Sequence, residues 1–532
     1  MIERCFLLNI ILLVYTDGIS KAIGVDNFWN NASVELEMAL HVKLNFNNAK
    51  NVILFIGDGM GINTVTASRI MKNGEAHLLS FEKFPHIGLI KTYSVDRQVP
   101  DSASTATALY SGTKTNFRTV GVSSKVPNKQ CKPALDKKTH LENIFGWAQA
   151  AGLKTGFVTT TRVTHATPAP VYAHSPERDW ECNAKIPDDM KLLGCKDIGW
   201  QLMNNDRGQK LNVIMGGGLQ CLDSGAVAKP NDPFDSWACR RNDGLNLTDV
   251  WKSIKKKQSL PHAFVQNNKD LESIDPNTDY ILGIFSNSHL PYEYKRDKSA
   301  NGSPSLQQMT KTALQSLNHN SKGFVLMVEG GLIDFAHHRG HARIALEEAL
   351  EFDRTIEWTM SWLSKMQMLD ETLVIVTADH SHSLMINGYP NRGNNILGIA
   401  QKSRMDGVPF TTLTYGTGGP NNYQFSKEEE VGLRRDPSKN DTTDHEYSQQ
   451  TAILNDEVYH GGGDVAIYSQ GPFSHLFHNV HEQSYVAHVI AYSAKIGPYR
   501  NAASMVLHFY SIATIVFSIV TTLMAIRLLS IS

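Results

Sequence analysis

Strongly apolar runs that alternate with helical patterns are the feature of this chain that most limits its fold. Residues 52–57, 157–161, 324–328 and 373–377 form continuous apolar or β-branched runs, which are typical of strands buried on both faces. Helical patterns lie between them, for example over 343–358, where apolar residues recur on one face. This alternation predicts an α/β fold, with a large, mostly parallel, doubly wound sheet flanked by helices.

Acidic residues and histidines stand close to the ends of these predicted strands. Because ligands of an open parallel sheet bind beyond the carboxyl ends of its strands, we expect these side chains to meet at one rim. Asp334 and His338 are four residues apart, so a helical turn places them on one face. Mixed Asp and His ligands suit zinc, whereas oxygen ligands alone suit magnesium. We therefore predict a multi-metal site with the candidate ligands Asp58, Thr167, Glu329, Asp334, His338, Asp379, His380 and His460.

Ser102 opens a run of small residues that is compatible with a helix. A hydroxyl at a helix start lies near free backbone N–H groups and the positive end of the macrodipole, which favours an anion or an alkoxide. An Asp-Ser pair before a helix is most often only an N-cap. A serine beside two cations instead supports phosphoryl transfer, because the cations hold the attacking and leaving oxygens. Such a site also calls for an arginine to bind the remaining phosphate oxygens.

The chain resembles the alkaline phosphatase family, in its animal, membrane-anchored branch, from about residue 25 to about residue 500. The resemblance rests on specific motifs, several of which contain the candidate ligands. They are FIGDGMG at 55–61, VPDS at 99–102, TTTRV at 159–163, VEGG at 328–331, TADHSH at 377–382 and HGG at 460–462.

This resemblance implies hydrolysis of phosphate monoesters to alcohol and inorganic phosphate, with an alkaline pH optimum. Ser102 is then the nucleophile that becomes a phosphoserine, Arg178 clamps the phosphate group, and His165 lies near the magnesium. The implied cofactors are two zinc ions and one magnesium ion per subunit. The implied ligands are Asp334, His338 and His460 for one zinc, Asp58, Asp379 and His380 for the other, and Asp58, Thr167 and Glu329 for magnesium.

The sequence departs from the family pattern at several positions. Ala103 and Ser104 follow the nucleophile where Gly-Ala is common, and Leu332 and Phe335 stand where animal members usually have arginine and histidine. Calcium is not expected, because residues 286 and 301 are Ser and Asn where the family's calcium site has acidic residues.

The cysteines also differ from the family pattern in part. Cys131 and Cys195 align with a family disulfide, but the family's C-terminal cysteine pair is absent. The sequence does not fix the pairing of the remaining mature cysteines. One expectation is that Cys221 pairs with Cys239 and leaves Cys182 free.

The two ends of the chain predict a secreted, membrane-attached protein. Residues 1–22 read as a signal peptide, and 501–532 as a GPI-attachment signal or a membrane-spanning anchor. The predicted catalytic domain covers 23–385 and 451–500, with an inserted crown-like subdomain at 386–450. Sequons for N-glycosylation stand at Asn31, Asn246, Asn301 and Asn440. These features predict the extracellular face of the plasma membrane.

The net charge and the resemblance to the family also predict the binding partners of the chain. A net charge of -1 argues against nucleic acid binding. The resemblance implies a homodimer, formed through an amphipathic segment within residues 25–45 and through the insertion.

Two other functions remain open from the residues alone. The first is a phosphodiesterase or sulfatase of the same superfamily, and Ser102 argues against it because those enzymes use threonine or a modified cysteine. The second is a non-catalytic, metal-stabilised surface receptor. The complete set of ligand types argues against this second function.

Overall fold

The computed structural model describes residues 27–275, 277–419, 423–426 and 431–501 of the 532-residue chain. The predicted signal peptide lies outside the described residues, as does the predicted C-terminal signal apart from residue 501. Within the described ranges, no helix combines the length and the apolar character needed to cross a membrane. The chain divides into two units, residues 1–45 and 46–532, which are described separately.

The first unit contains helix α1 (Asn27–Leu40), which confirms a helix in the segment predicted to be amphipathic. Its large apolar side chains are exposed, among them Phe28, Trp29, Leu36 and Met38.

The second unit contains the remaining elements. The strands are β1 (Asn51–Gly57), β2 (His86–Lys91), β3 (Lys154–Arg162), β4 (Val213–Gly217), β5 (His262–Val265), β6 (Tyr280–Ile284), β7 (Phe324–Gly330), β8 (Thr372–Ala378), β9 (Ser381–His382), β10 (Leu384–Ile386), β11 (Ile399–Lys402), β12 (Pro409–Thr411), β13 (Leu413–Gly418), β14 (Tyr423–Ser426), β15 (Val431–Arg434), β16 (Thr451–Leu454), β17 (His460–Gly461), β18 (Val465–Gln470) and β19 (Asn479–Glu482). The helices are α2 (Ile62–Asn73), α3 (Ser102–Ser111), α4 (Cys131–Leu135), α5 (Ile144–Ala151), α6 (Asp188–Leu192), α7 (Ile198–Asn204), α8 (Asp206–Gln209), α9 (Leu219–Leu222), α10 (Leu247–Lys257), α11 (Asn268–Glu272), α12 (Leu306–Leu317), α13 (Leu332–His338), α14 (Ala342–Lys365) and α15 (Tyr485–Ser493).

Ten strands form the central sheet, in the order β19-β2-β18-β8-β1-β7-β3-β4-β6-β5. Strand β18 pairs antiparallel with β2 and β8, whereas the other pairs are parallel. The predicted α/β class and mostly parallel sheet are therefore confirmed. All seven residues of β1 are buried, which explains the unbroken apolar run from Val52 to Ile56. Because β7 and β8 run parallel to β1 on either side, the carboxyl ends of these three strands lie together.

The region predicted as an inserted subdomain, 386–450, contains short strands instead of long buried ones. Strands β11 and β12 pair with each other, and so do β14 and β15. Strand β13 pairs with β10 and β16, at the two borders of the predicted insertion. The domain boundaries stay predictions.

Two disulfides are present in the second unit. Cys131 pairs with Cys195, which confirms the pairing implied by the resemblance. The expectation for the other three cysteines is wrong, because Cys182 pairs with Cys239 across a sequence separation of 57 and Cys221 is the buried free thiol. The Cys221 Sγ instead lies 3.1 Å from the carbonyl oxygen of Cys239.

Candidate active site

Ser102 is the first residue of α3, and only 1% of it is exposed. The helix cap is Asp101, whose carboxylate accepts the backbone N–H groups of Ala103 and Ser104. Asp101 therefore performs the capping role, and the Ser102 hydroxyl is not needed for it. Ser102 Oγ lies 3.2 Å from His380 Nε2. This environment fits a nucleophile more closely than a simple cap.

The carboxyl ends of three neighbouring strands bring acidic side chains to one rim. Asp58 follows β1, Glu329 lies near the end of β7, and Asp379 follows β8. Helix α13 starts shortly after β7 and presents Asp334 and His338 one turn apart, as predicted. These five predicted ligands therefore lie where the parallel strands end.

Another predicted ligand, His460, reaches this rim through a short strand pair. In the antiparallel pairing of β9 with β17, His382 lies opposite His460. The ring of His460 stacks on that of His380, with centroids 3.7 Å apart. The pairing of β9 with β17 therefore joins two segments that are far apart in the sequence.

The side chains form three groups whose ligand atoms lie within 4.8 Å of one another, among the described residues. The groups share members, so together they form one continuous cluster. They are Asp334, His338, His382 and His460; Asp58, Asp334 and His380; and Asp58, His165 and Glu329.

Two predicted ligands lie beside these groups, and one member of the first group was not predicted. Asp379 Oδ2 is 3.2 Å from His380 Nε2, and the Thr167 hydroxyl donates to Asp58 Oδ2 at 3.4 Å. His382 was not among the predicted ligands, yet its Nε2 bonds the Asp334 carboxylate. A signal for it existed, because residues two apart in an extended segment face the same side, and His382 is two residues after His380.

Burial and neighbouring charges shift the pKa values of the carboxyl groups in this cluster. Burial raises the pKa of Asp58 well above its ordinary value, and nearby carboxylates, beginning with Asp334, add to the shift. Burial also raises the pKa of Glu329 to about 7. Burial opposes ionisation of Asp334 too, but the imidazoles of His338 and His382 outweigh it and hold the pKa of Asp334 well below its ordinary value.

Several buried polar atoms in the cluster have no hydrogen-bond partner. They include Asp58 Oδ1, Glu329 Oε1 and the Nδ1 atoms of His165, His380 and His382. Buried polar atoms are normally satisfied, so each such atom needs an explanation. A cation would supply the partner that these carboxylate oxygens lack, and it would relieve their repulsion. The donor set therefore fits bound divalent metals.

Arg178 is the arginine predicted to bind the phosphate group. Its Nη1 donates to Asp101 Oδ2 at 3.1 Å, and its Nη2 lies 3.3 Å from His165 Nε2. Arg178 and His165 line a cavity of about 740 Å³, together with Asp334, His338 and His460. The predicted phosphate clamp thus faces the same cavity as the candidate ligands.

The structure shows the surroundings of two of the departures from the family pattern, Ser104 and Phe335. The Ser104 hydroxyl donates to the backbone oxygen and the carboxylate of Asp101, so it reinforces the cap. Phe335 lines the cavity, where its ring lies 4.8 Å from that of His289 and 4.7 Å from the Arg339 guanidinium carbon. An aromatic wall therefore stands where family members usually have a histidine.

Phosphoryl transfer is the chemistry that such a rim supports, so the fold and the site define a metal-binding hydrolase of phosphate esters. The family model for alkaline phosphatase matches residues 49–496 of the chain. The chain therefore belongs to the alkaline phosphatase family. It is a phosphoric monoester hydrolase, which decides against the phosphodiesterase, sulfatase and receptor alternatives.

Animal relatives support this assignment over most of their length. The tissue-nonspecific alkaline phosphatase of Homo sapiens is 44% identical over 481 residues, which cover 88% of each chain. An alkaline phosphatase of Gadus morhua is 42% identical over 486 residues, 89% of this chain and 98% of that one. Alkaline phosphatase 4 of Drosophila melanogaster is 38% identical over 505 residues, 89% and 82% of the two chains.

Solved structures of bacterial alkaline phosphatases show the same fold. The enzyme from the Antarctic bacterium TAB5 superposes with a TM-score of 0.56 at 23% identity, covering 84% of this chain and 99% of that one. The Thermus thermophilus enzyme gives a TM-score of 0.58 at 22% identity, with coverage of 85% and 92%.

Proposed function

We propose that this enzyme hydrolyses phosphate monoesters through a phosphoserine at Ser102. The observation that carries the proposal is the buried Ser102 hydroxyl at a helix start, beside His380 and within the acidic rim. The Ser102 oxygen attacks phosphorus and the bond to the alcohol oxygen breaks. Water then attacks the phosphoserine, which releases inorganic phosphate and restores the serine.

The residues around Ser102 orient these steps. Asp101 caps α3 through its carboxylate and also accepts the Arg178 guanidinium, so one side chain fixes the arginine relative to the nucleophile. Arg178 offers its donors to the phosphate oxygens that do not react. His165 lies beside this guanidinium and aligns it from the other side.

The family implies metal cofactors, and we propose two zinc ions and one magnesium ion. Bound cations would lower the pKa of the serine hydroxyl and stabilise charge on the leaving oxygen. One variant of the TAB5 enzyme, 22% identical to this chain, has Mg bound in its M3 site. The proposed ligands are Asp334, His338 and His460 for one zinc, Asp58, Asp379 and His380 for the other, and Asp58, Thr167 and Glu329 for magnesium, with His165 alongside.

The test is hydrolysis of p-nitrophenyl phosphate by the metal-loaded enzyme. Ser102→Ala should reduce turnover by at least about 1,000-fold, in the range seen when a catalytic nucleophile is removed. Ser111→Ala, at the other end of the same helix, is the matched control and should retain activity. Acid quenching with labelled phosphate should place the label on Ser102. Full turnover in Ser102→Ala, or a label elsewhere, would refute the mechanism.

A second measurement tests the metals. Chelation should abolish activity, and zinc with magnesium should restore it. Elemental analysis of the active enzyme should give two zinc ions and one magnesium ion per chain. A different ratio at full activity would overturn the proposed stoichiometry.

We also propose that the enzyme is a glycosylated, GPI-anchored homodimer at the cell surface. The apolar stretch at 505–529 supports the anchor, and the exposed sequon residues Asn31, Asn301 and Asn440 support glycosylation. The exposed apolar side chains of α1 support association with a second copy. Release by a phosphatidylinositol-specific phospholipase tests the anchor. Light scattering of the secreted enzyme with and without residues 27–40 tests the dimer.

A further inference from the structure

The proposed phosphate clamp stands between two acids in the sequence. Arg178 is flanked by Glu177 and Asp179. A free carboxylate at either position would attract the guanidinium and repel a phosphate dianion. Burial opposes the charge of Arg178, but Asp101, Asp179 and Asp58 more than offset it and raise the pKa of Arg178. The flanking acid at 179 therefore interacts with this arginine through space.

A second arginine holds both flanking acids. Arg118 Nε donates to Glu177 Oε1 at 3.0 Å, and Arg118 Nη2 lies 2.8 Å from the same oxygen. The Nη2 atom also donates to Asp179 Oδ2. The Arg118 side chain is 31% exposed and lines the cavity that holds Arg178. One guanidinium thus pairs with both of the carboxylates that flank Arg178.

The two acids depend on Arg118 to different degrees. The Glu177 carboxylate is buried and also accepts the side chain of Asn128 at 3.2 Å. The Asp179 side chain is 59% exposed, and its ion-pair partner among the described residues is Arg118. Removal of the Arg118 side chain would therefore release Asp179 first.

The backbone of Arg118 touches the same groups. Its N–H donates to Asp101 Oδ1 at 2.8 Å, and its carbonyl oxygen accepts the Arg178 N–H at 2.9 Å. Its φ is 64°, in the left-handed region that disfavours a residue with a Cβ atom. A side chain kept at a position where glycine would be free of strain points to a role for that side chain.

We propose that Arg118 is a positioning residue, which neutralises Asp179 and Glu177 and so reserves the donors of Arg178 for the phosphate group of the substrate. The inference rests on the proposed role of Arg178 in phosphate binding. It predicts an effect on binding of substrate and phosphate, because Arg118 acts on the clamp and not on the Ser102 hydroxyl.

The test variant is Arg118→Gly, which removes the guanidinium, keeps both backbone hydrogen bonds and relieves the left-handed strain. We expect KM for p-nitrophenyl phosphate and Ki for inorganic phosphate to rise by about 10-fold, the order of size for one lost charge contact. We expect kcat to change by less than about threefold. The variant should keep the wild-type circular dichroism spectrum and unfold cooperatively on heating, which separates this effect from misfolding.

A double variant provides the sharper readout. If Arg118 acts by neutralising Asp179, then Arg118→Gly combined with Asp179→Asn should recover most of the lost phosphate affinity. Arg434→Gln is the matched control, because it breaks a surface ion pair with Asp406 away from the cavity and should leave Ki unchanged. Unchanged Ki in Arg118→Gly, or no recovery in the double variant, would overturn the inference.

The proposed role of Arg178 in binding phosphate is tested separately by Arg178→Ala. A large rise in Ki for this variant supports the clamp, whatever the outcome at residue 118. If Arg178→Ala leaves Ki unchanged, the proposed function of Arg178 fails.

Discussion

Glu348 offers a sharp test of how burial controls the pH dependence of stability. It lies in α14, is 6% exposed, and accepts the Glu293 N–H at 2.6 Å. Burial raises the pKa of Glu348 from its ordinary value of 4.5 to about 8, and the carboxylates of Glu293, Glu351 and Glu347 add to the rise. We predict that Glu348→Gln makes the enzyme more stable at alkaline pH relative to wild type.

The sign follows from proton linkage. Below pH 4.5 both the folded and the unfolded state carry the proton on Glu348, so the contribution of this side chain to the free energy of unfolding is at its maximum. Between that pH and about 8 only the folded state keeps the proton, so stability falls by about 1.4 kcal/mol per pH unit. The total loss is about 5 kcal/mol. Roughly 3 kcal/mol of it falls between pH 6 and pH 9, because titration is largely complete above pH 8.

The assay is urea unfolding of metal-loaded wild type and Glu348→Gln at pH 6 and pH 9. Glutamine can still accept the Glu293 N–H but has no proton to release. The stability difference between variant and wild type should shift in favour of the variant by about 3 kcal/mol from pH 6 to pH 9. Glu357→Gln, exposed on the same helix, is the control and should show no such shift. Equal differences at both pH values would refute the reasoning.

Three further predictions follow from the cysteines and the acidic rim. Replacing Cys182 and Cys239 together by alanine should reduce the free energy of unfolding by about 4 kcal/mol, because their bond closes a long loop. Urea titration measures this loss, and an unchanged free energy of unfolding would contradict the pairing. Burial raises the pKa of the Cys221 thiol, so a thiol reagent such as DTNB should react with it only after unfolding, and fast reaction in the native enzyme would contradict its burial. Chelation should lower the melting temperature by several degrees in calorimetry, because Asp58 and Glu329 would stay buried without a cation, and an unchanged value would argue against structural metal binding.

Part of the rim could be predicted because several candidate ligands stand in a fixed relation to a strong local pattern. The buried strand before Asp58 and the strand before Asp379 each form an unbroken apolar run, and parallel pairing brings their ends together. The four-residue spacing of Asp334 and His338 fixes their common helical face. In these cases local sequence and global topology require the same placement.

Other features depend on long-range contacts that no local pattern encodes. His382 gains its place beside Asp334 from the pairing of β9 with β17, which joins segments on opposite sides of the insertion. The bond between Cys182 and Cys239 depends on how two loops meet, and sequence separation is a poor guide to that. The role of Arg118 likewise appears only when its backbone conformation and its two acidic partners are seen together.

The pairing of β9 with β17 also bears on how the enzyme is made. The candidate ligands extend from Asp58 to His460, so the cluster cannot assemble until His460 has left the ribosome. A chain released before that point would lack the His460 imidazole and could not form the complete cluster. Catalytic competence in this enzyme therefore reports that translation has passed residue 460.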